Sequence, residues 1–181
     1  MIINQTELDA CWSGKIGSPH DFLGLHEIGP GLGLVARALD PGADQVSLVD
    51  RSSDTWFPMN KIHPDGFFEA EILGKEDYFP YSFCSVHSGI EVEWQDPYGF
   101  LPHIANEELA QFNQGTDRRP YQKLGSFPTS KKGIDGVAFV VWAPSAQSVH
   151  LVGDFNHWRV NSLPMRSLGS SGCREIFVPG A

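Results

Sequence analysis

The sequence is poor in several things, and each shortage removes a class of function. Charged residues make up only 19% of 181 residues, and acidic ones outnumber basic ones, for a net charge of −9. An acidic surface repels phosphate backbones, so no nucleic-acid partner is expected. No stretch approaches the ~20 consecutive apolar residues of a membrane helix. The opening "MIINQTELDACW" lacks a basic start followed by an apolar run, so neither a signal peptide nor a membrane partner is expected, and the cytoplasm is the expected compartment. Only three cysteines occur, Cys11, Cys84 and Cys173. An odd, widely spaced set suits buried small side chains in a reducing compartment better than a disulfide scaffold. The seven histidines, from His20 to His157, are scattered without metal-ligand spacing. No Ser/His/Asp set and no carboxylate pair is singled out. No cofactor, metal or catalytic residue is therefore assigned.

Turn formers are abundant, with 19 glycines and 13 prolines. So is repetition. "WAPSAQSVHLVGDFNHW" (142–158) echoes "LDPGADQVSLVDRSSDTW" (39–56). Pro41, Ala43, Val46, Leu48 and Val49 match Pro144, Ala146, Val149, Leu151 and Val152, all 103 apart. Upstream, Leu23–Gly24 matches Leu124–Gly125 at 101. Downstream, Pro58, Met59, Gly66, Glu69 and Gly74 match Pro164, Met165, Gly172, Glu175 and Gly180 at 106. The offset drifts only between matched blocks, where loops absorb insertions. This is a duplication of domain size, not a short solenoid period.

Both copies read as strands. "VAFVVWAP", "SVHLVGDF" and "REIFVPG" are β-branched and aromatic runs bounded by turn residues. "AQSVHLVGD" alternates, with Val149 and Leu151 on one face and Ser148 and His150 on the other. A β-sandwich in each copy follows. Copy one continues through "YFPYSFCSV" and "IEVEWQDPY", a hairpin with Ser88–Gly89 at its turn. That hairpin has no counterpart before Ala181. The second sandwich is thus expected to be truncated before its last strands, with an exposed edge through which two copies would pair as an edge-strand dimer. Between the copies, Asn106 is placed as the cap of a short helix, with Glu107 and Glu108 in its first turn and Gly115 at its end. Leu109 and Phe112 share one helix face. Arg118 and Arg119 then read equally as a docking point or as a solvated turn.

"GLGLVA" (31–36) fits G-x-G-x-x-A, but that motif needs a strand before it and a helix after it. Pro41 stops any helix, and the matching segment of copy two is strand-like. Trp142 lies within an apolar strand and is assigned to the core. Trp158 follows the turn-rich "GDFNH". An indole there either stacks on the apolar face of a sugar ring, with Asn156 bonding hydroxyl groups, or covers the end of the sandwich.

"VGDFNHW" resembles the signature of glycogen-binding-type modules that precede the barrel in α-amylase superfamily enzymes. "SPHDFLGLHE", "RALDPGADQVSLVD", "DPYGFLP", "FNQGTDRRPYQKLG" and "PMRSLGSSGCREIFVPG" resemble the N-terminal portion of bacterial glycogen branching enzymes. The resemblance covers nearly all of 18–181 and leaves the first dozen residues unplaced. It implies an all-β chain of two tandem immunoglobulin-like β-sandwiches. Residues 1–17 form an N-terminal segment, 18–100 the first module, 101–123 a linker with a short helix, and 124–181 an incomplete glycogen-binding-type module. It implies that Trp158 and Asn156 bind α-1,4-glucan (glycogen), and that the modules brace the catalytic barrel of the parent enzyme. That barrel moves α-1,4-glucan segments to form α-1,6 branches, and none of its motifs occurs here, so the chain alone is expected to be inactive. "DRSSDTW" stands where the second copy has "GDFNHW", so copy one is expected to bind sugar weakly or not at all, and Trp56 and Trp94 are read as packing residues. A freestanding glucan-binding or protein-interaction module is the alternative.

Overall fold

The structure, a computed structural model, describes residues 18–181. Cys11 and the expected N-terminal segment lie outside the described residues. The chain divides into two compact units, His20–Gly99 and, with Pro19, Phe100–Ala181. Strands dominate both. One α-helix is present among the described residues.

The first unit contains eight strands: β1 (Gly24–Gly29), β2 (Gly33–Leu39), β3 (Gln45–Asp50), β4 (Thr55–Pro58), β5 (Asn60–His63), β6 (Phe67–Ile72), β7 (Tyr81–His87) and β8 (Ile90–Trp94). They form two antiparallel sheets, ordered β1-β2-β6-β5 and β4-β3-β7-β8. This is the A-B-E-D and C′-C-F-G order of an immunoglobulin-like sandwich. Alternation explains the packing. Leu34, Ala36 and Ala38 of β2 meet Phe68, Ala70 and Ile72 of β6 and, from the other sheet, Val46, Leu48 and Phe83 in one core. Ser88 and Gly89 take φ of 50° and 83° at the β7–β8 turn, the left-handed pair that a two-residue hairpin demands. "GLGLVA" runs into β2 and carries no helix.

The second unit contains helix α1 (Asn106–Asn113) and strands β9 (Gly125–Lys131), β10 (Ile134–Trp142), β11 (Arg166–Ser167) and β12 (Cys173–Pro179), in one sheet ordered β11-β12-β10-β9. Ala105, not Asn106, occupies the N-cap of α1, and its backbone N–H donates to the Glu108 carboxylate at 3.2 Å. Gly115, with φ of 67°, follows the C-cap Gln114. Leu109 and Phe112 pack with Leu124 against Ile104, Val140, Leu168 and Cys173, while Phe100 meets Ala138 and Phe177.

The duplication is visible bond by bond. Asp40 N donates to Gly66 O at 2.8 Å, and Ala143 N to Gly172 O at 2.8 Å. Met59 N donates to Val46 O and Met165 N to Val149 O, each at 2.9 Å. Arg37 pairs across strands with Glu69, and Val140 with Glu175. Each pair holds repeat-equivalent positions, 103 and 106 residues apart. The two-residue change in offset falls in the first hairpin, which is longer in the second copy: its ends pair as Gly125–Val140, against Gly24–Arg37 in the first.

Two further expectations need correction. "SVHLVGD" does not form a full strand. Its ladder is the single bridge His150–Pro164, flanked by Leu151 N–H donating to Leu163 O at 2.9 Å and by the Met165–Val149 bond. In copy one β3 is held by β4 on one side and β7 on the other; the segment 149–151 has the first kind of neighbour alone among the described residues. Trp142 is 55% exposed rather than in the core. It continues the inward face of Ala138 and Val140 but sits at the strand end. There Phe112 meets it edge-on at 6.2 Å, and its indole N–H donates to Ser171 O at 3.1 Å.

Candidate functional site

Copy two departs most from copy one in the loop between the bridge partners 150 and 164. Gly153 starts a short 3-10 turn over Asp154–Asn156, and His157, Trp158 and Asn161 follow with φ of 53°, 56° and 63°. Three non-glycine residues in the left-handed region need a firm frame. Asn156 supplies it. Its Oδ1 accepts the Gly153 N–H at 2.9 Å. Its Nδ2 donates to Leu151 O at 3.1 Å, Arg159 O at 3.2 Å and Ser162 Oγ at 2.8 Å. Phe155 pins the turn to the sheet through Phe139, ring to ring at 5.8 Å.

This frame presents Trp158. The side chain is 65% exposed. Its backbone N–H donates to Gly153 O at 2.9 Å, and its indole N–H to Asp154 Oδ1 at 2.9 Å. The ring is therefore held from one edge with its face in water, the arrangement of a pre-set stacking platform. The two sequence-expected residues sit side by side but differ in what they offer. Trp158 presents a surface, whereas the Asn156 amide is spent on the loop itself. Asp154, the indole's anchor, went unread because nothing in "GDFNHW" marks which polar group turns back onto the tryptophan. Burial holds the His150 imidazole below its ordinary range at the base of this loop.

At the matching place copy one carries a short turn organised by Asp50. This carboxylate is fully buried and accepts hydrogen bonds from Lys75, from Ser52 N and Oγ at 2.8 and 2.6 Å, and from Ser53 Oγ at 2.8 Å. Burial alone would raise its pKa, but these donors outweigh it and hold the group well below the usual carboxylate range. Trp94 packs as expected, its ring 4.7 Å from Phe83 and its N–H donating to Ser85 Oγ at 2.7 Å. Trp56 is 50% exposed. Cys84 and Cys173 are buried, and burial first of all pushes both thiols up. No cluster of metal-ligating side chains occurs among the described residues, and none of their helices is long and apolar enough to cross a membrane.

The family model for the N-terminal domain of α-1,4-glucan branching enzyme GlgB matches residues 4–98. The chain belongs to this branching-enzyme family. Its second half, residues 123–181, matches carbohydrate-binding module 48, the isoamylase N-terminal domain. Similar curated proteins carry the name 1,4-alpha-glucan branching enzyme GlgB. That of Synechococcus sp. strain JA-3-3Ab is 40% identical over 155 residues, 81% of this chain and 20% of its own length. That of Roseobacter denitrificans is 34% identical over 181 residues, 99% of this chain and 24% of its own. That of Agrobacterium fabrum is 35% identical over 180 residues, 98% of this chain and 24% of its own. The chain thus spans about a fifth to a quarter of these relatives. It corresponds to the N-terminal part of a branching enzyme and carries a carbohydrate-binding module.

Proposed function

We propose that this chain supplies the non-catalytic front of a cytoplasmic glycogen branching enzyme. Its modules hold α-1,4-glucan and brace the barrel that transfers glucan segments into α-1,6 branches. The first module is taken as 18–100 and the second as 124–181, joined by 101–123. Trp158 carries the sugar contact, and Asn156 acts as the residue that positions it. The observation that supports this most is the held, water-facing indole of Trp158 within the segment matched by a carbohydrate-binding module. Affinity electrophoresis in glycogen-containing gels tests it. The parent chain is retarded and Trp158→Ala loses most of that retardation, by about tenfold in apparent Kd for one lost stacking platform. Equal mobility of the two proteins would refute the sugar contact.

A second reading, protein contact, is favoured by one feature of β10. Its positions equivalent to the sandwich-core residues Leu34, Ala36 and Ala38 are Val137, Phe139 and Val141. The first two are half-buried, and Val141 is 40% exposed. This partly uncovered side of β10, opposite Ala138 and Val140, and the one-sided bridge at His150 suit pairing with another chain, including a second copy. Light scattering across a concentration series should then show a growing dimer fraction. A monomer unchanged by concentration argues against it.

A further inference from the structure

The loop that presents Trp158 is shut at its foot by few main-chain bonds. His150 and Pro164 form its single β-bridge, flanked by Leu151 N–H donating to Leu163 O and Met165 N–H donating to Val149 O, each at 2.9 Å. Opening of so short a ladder belongs to the low-energy end of local unfolding. The frame above it depends on that foot, because His157, Trp158 and Asn161 hold left-handed backbone only while the surroundings impose it. We propose that the His150 imidazole is a proton-operated latch on this loop: neutral, it lets the foot close and the indole face α-glucan; protonated, it opens the foot and weakens the sugar contact. This deepens the reading of Trp158 as a glucan contact, and the effect on affinity rests on that reading.

His150 Nδ1 is buried without a hydrogen-bond partner among the described residues. A neutral imidazole tolerates this with its proton on Nε2, since Nδ1 is then only an unused acceptor. An imidazolium carries N–H on both nitrogens and would bury a donor with nothing to accept it. The bridge is a non-hydrogen-bonded antiparallel pair, the kind that brings two side chains close, so the ring stands across from Pro164. Charge gives it no relief. The facing segment Leu163–Met165 has no titratable group, and Arg166 beyond it is paired with Glu175. The loop carries Asp154, His157 and Arg159, of which Asp154 accepts the Trp158 indole N–H. Strand β10 carries Asp135 near its start, and β12 brings Arg174, whose Nη2 donates to Ala146 O at 2.9 Å. None of these sets the ring's lowered pKa: burial is its sole cause. Copy one has Ser47 here, paired with Pro58, and a hydroxyl does not titrate in this range. The latch thus belongs to the copy whose turn has grown into a loop.

A pKa lowered in the closed loop means that the neutral ring favours closure above the ordinary histidine value of ~6.5, and that this preference is lost as pH falls toward the lower closed-state value. Within that window the open fraction grows by up to about tenfold per pH unit. Hydrogen exchange of the 181-residue chain, read by NMR as protection relative to the intrinsic rate at each pH, tests the latch without sugar. Protection of the Leu151, Trp158 and Met165 amides should fall between pH ~7.5 and ~5.5, while that of β3 and β7 stays level. His150→Gln, and His150→Ser with the residue of copy one, should hold protection constant across the range; His157→Asn should follow the parent. Calorimetric titration with maltoheptaose over the same range should show affinity weakening in acid for the parent and staying flat for His150→Gln. Protection independent of pH in the parent, or falling equally in both His150 variants, overturns the latch whatever the sugar does. A foot that loosens in acid while the parent's affinity stays flat overturns its control of binding. Maltoheptaose binding unaffected by Trp158→Ala refutes instead the sugar reading of Trp158, and the exchange data then still decide the latch.

Discussion

Replacing Glu175 by alanine should unfold the second unit while sparing the first. Glu175 is 1% exposed. Its carboxylate accepts the His103 N–H at 2.7 and 2.9 Å, the Ile104 N–H at 3.2 Å and Arg166 Nη2 at 2.7 Å. Arg166, itself buried, donates from Nη1 to Phe100 O at 3.0 Å. Glu175 thus ties the 100–104 segment, which carries Phe100 and Ile104 into the core, to β12. Alanine leaves a buried guanidinium without its counter-charge, a loss of about 3–5 kcal/mol. Two backbone N–H groups also lose their acceptor, at about 1–3 kcal/mol each where water cannot replace it. Taking about 5 kcal/mol, the lower end of these losses together, and about 4–8 °C per kcal/mol for a module of this size, Tm should fall by about 20–40 °C. Hydrogen exchange read by mass spectrometry assigns the loss. Amides of β9, β10 and β12 should exchange far faster, and those of β2, β3 and β7 should not. Adding Arg166→Met removes the lone charge but not the orphaned N–H groups, so the double variant should recover roughly half the loss. A single variant within about 1 kcal/mol of the parent, or damage shared equally by both units, refutes the account.

Two further outcomes follow from the first unit and its repeat. Asp50 has a pKa depressed in the fold, so its ionised form contributes stability above the ordinary carboxylate value of ~3.9, and that contribution fades as pH falls through the lower folded value. Asp50→Asn should therefore lower the urea midpoint of the first unit at neutral pH, and the gap from the parent should narrow in acid below ~3.9; a gap independent of pH contradicts this. Gly66→Ala and Gly172→Ala probe the same turn twice. At Gly66 (φ 101°) a Cβ collides with the Asp40 carbonyl, while at Gly172 (φ 73°) it meets Pro144 Cβ at 2.7 Å. Thermal melts should show the Gly66 variant more damaged, because a backbone carbonyl in a strand junction cannot move aside; the opposite ranking would sink that reason.

The sequence carried the architecture because both of its signals are backbone signals. Alternation at Val46 and Leu48, the Ser88–Gly89 turn and the matched glycines each demand a particular local conformation, and each demand is met. The helix boundary moved by one residue, because Ala105 takes the N-cap and Glu108 reaches back to accept its backbone N–H. Exposure was harder to read. Trp142 sits in an apolar strand on the inward face, and only the extent of α1, which brings Phe112 to its edge and no further, leaves it in water. Asn156 was read as a sugar-bonding group because an amide in a turn can point either way. Its bonds to Gly153, Leu151, Arg159 and Ser162 depend on how the loop closes, which spacing does not encode.

The two copies also show what duplication conserves. Main-chain bonds recur at the same positions and nearly the same lengths, yet the buried ion pairs have been rebuilt. In copy one the cation is Arg37 on β2, bonded to Glu69 at 3.0 Å. In copy two the position of Arg37 is held by Val140, and Glu175 takes its cation from Arg166 on β11, where copy one has Asn60. A carboxylate kept in place while its partner changes strand shows that the buried charge can be neutralised from either neighbouring strand. Aromatic positions have moved in the same way: Leu39, buried at 8% exposure, corresponds to the exposed Trp142. A binding role is therefore not inherited by position in this fold. Each exposed tryptophan has to be judged by the groups around it: Trp158 is clamped by Asp154 within a loop, whereas Trp56 lies on strand β4 opposite Val49.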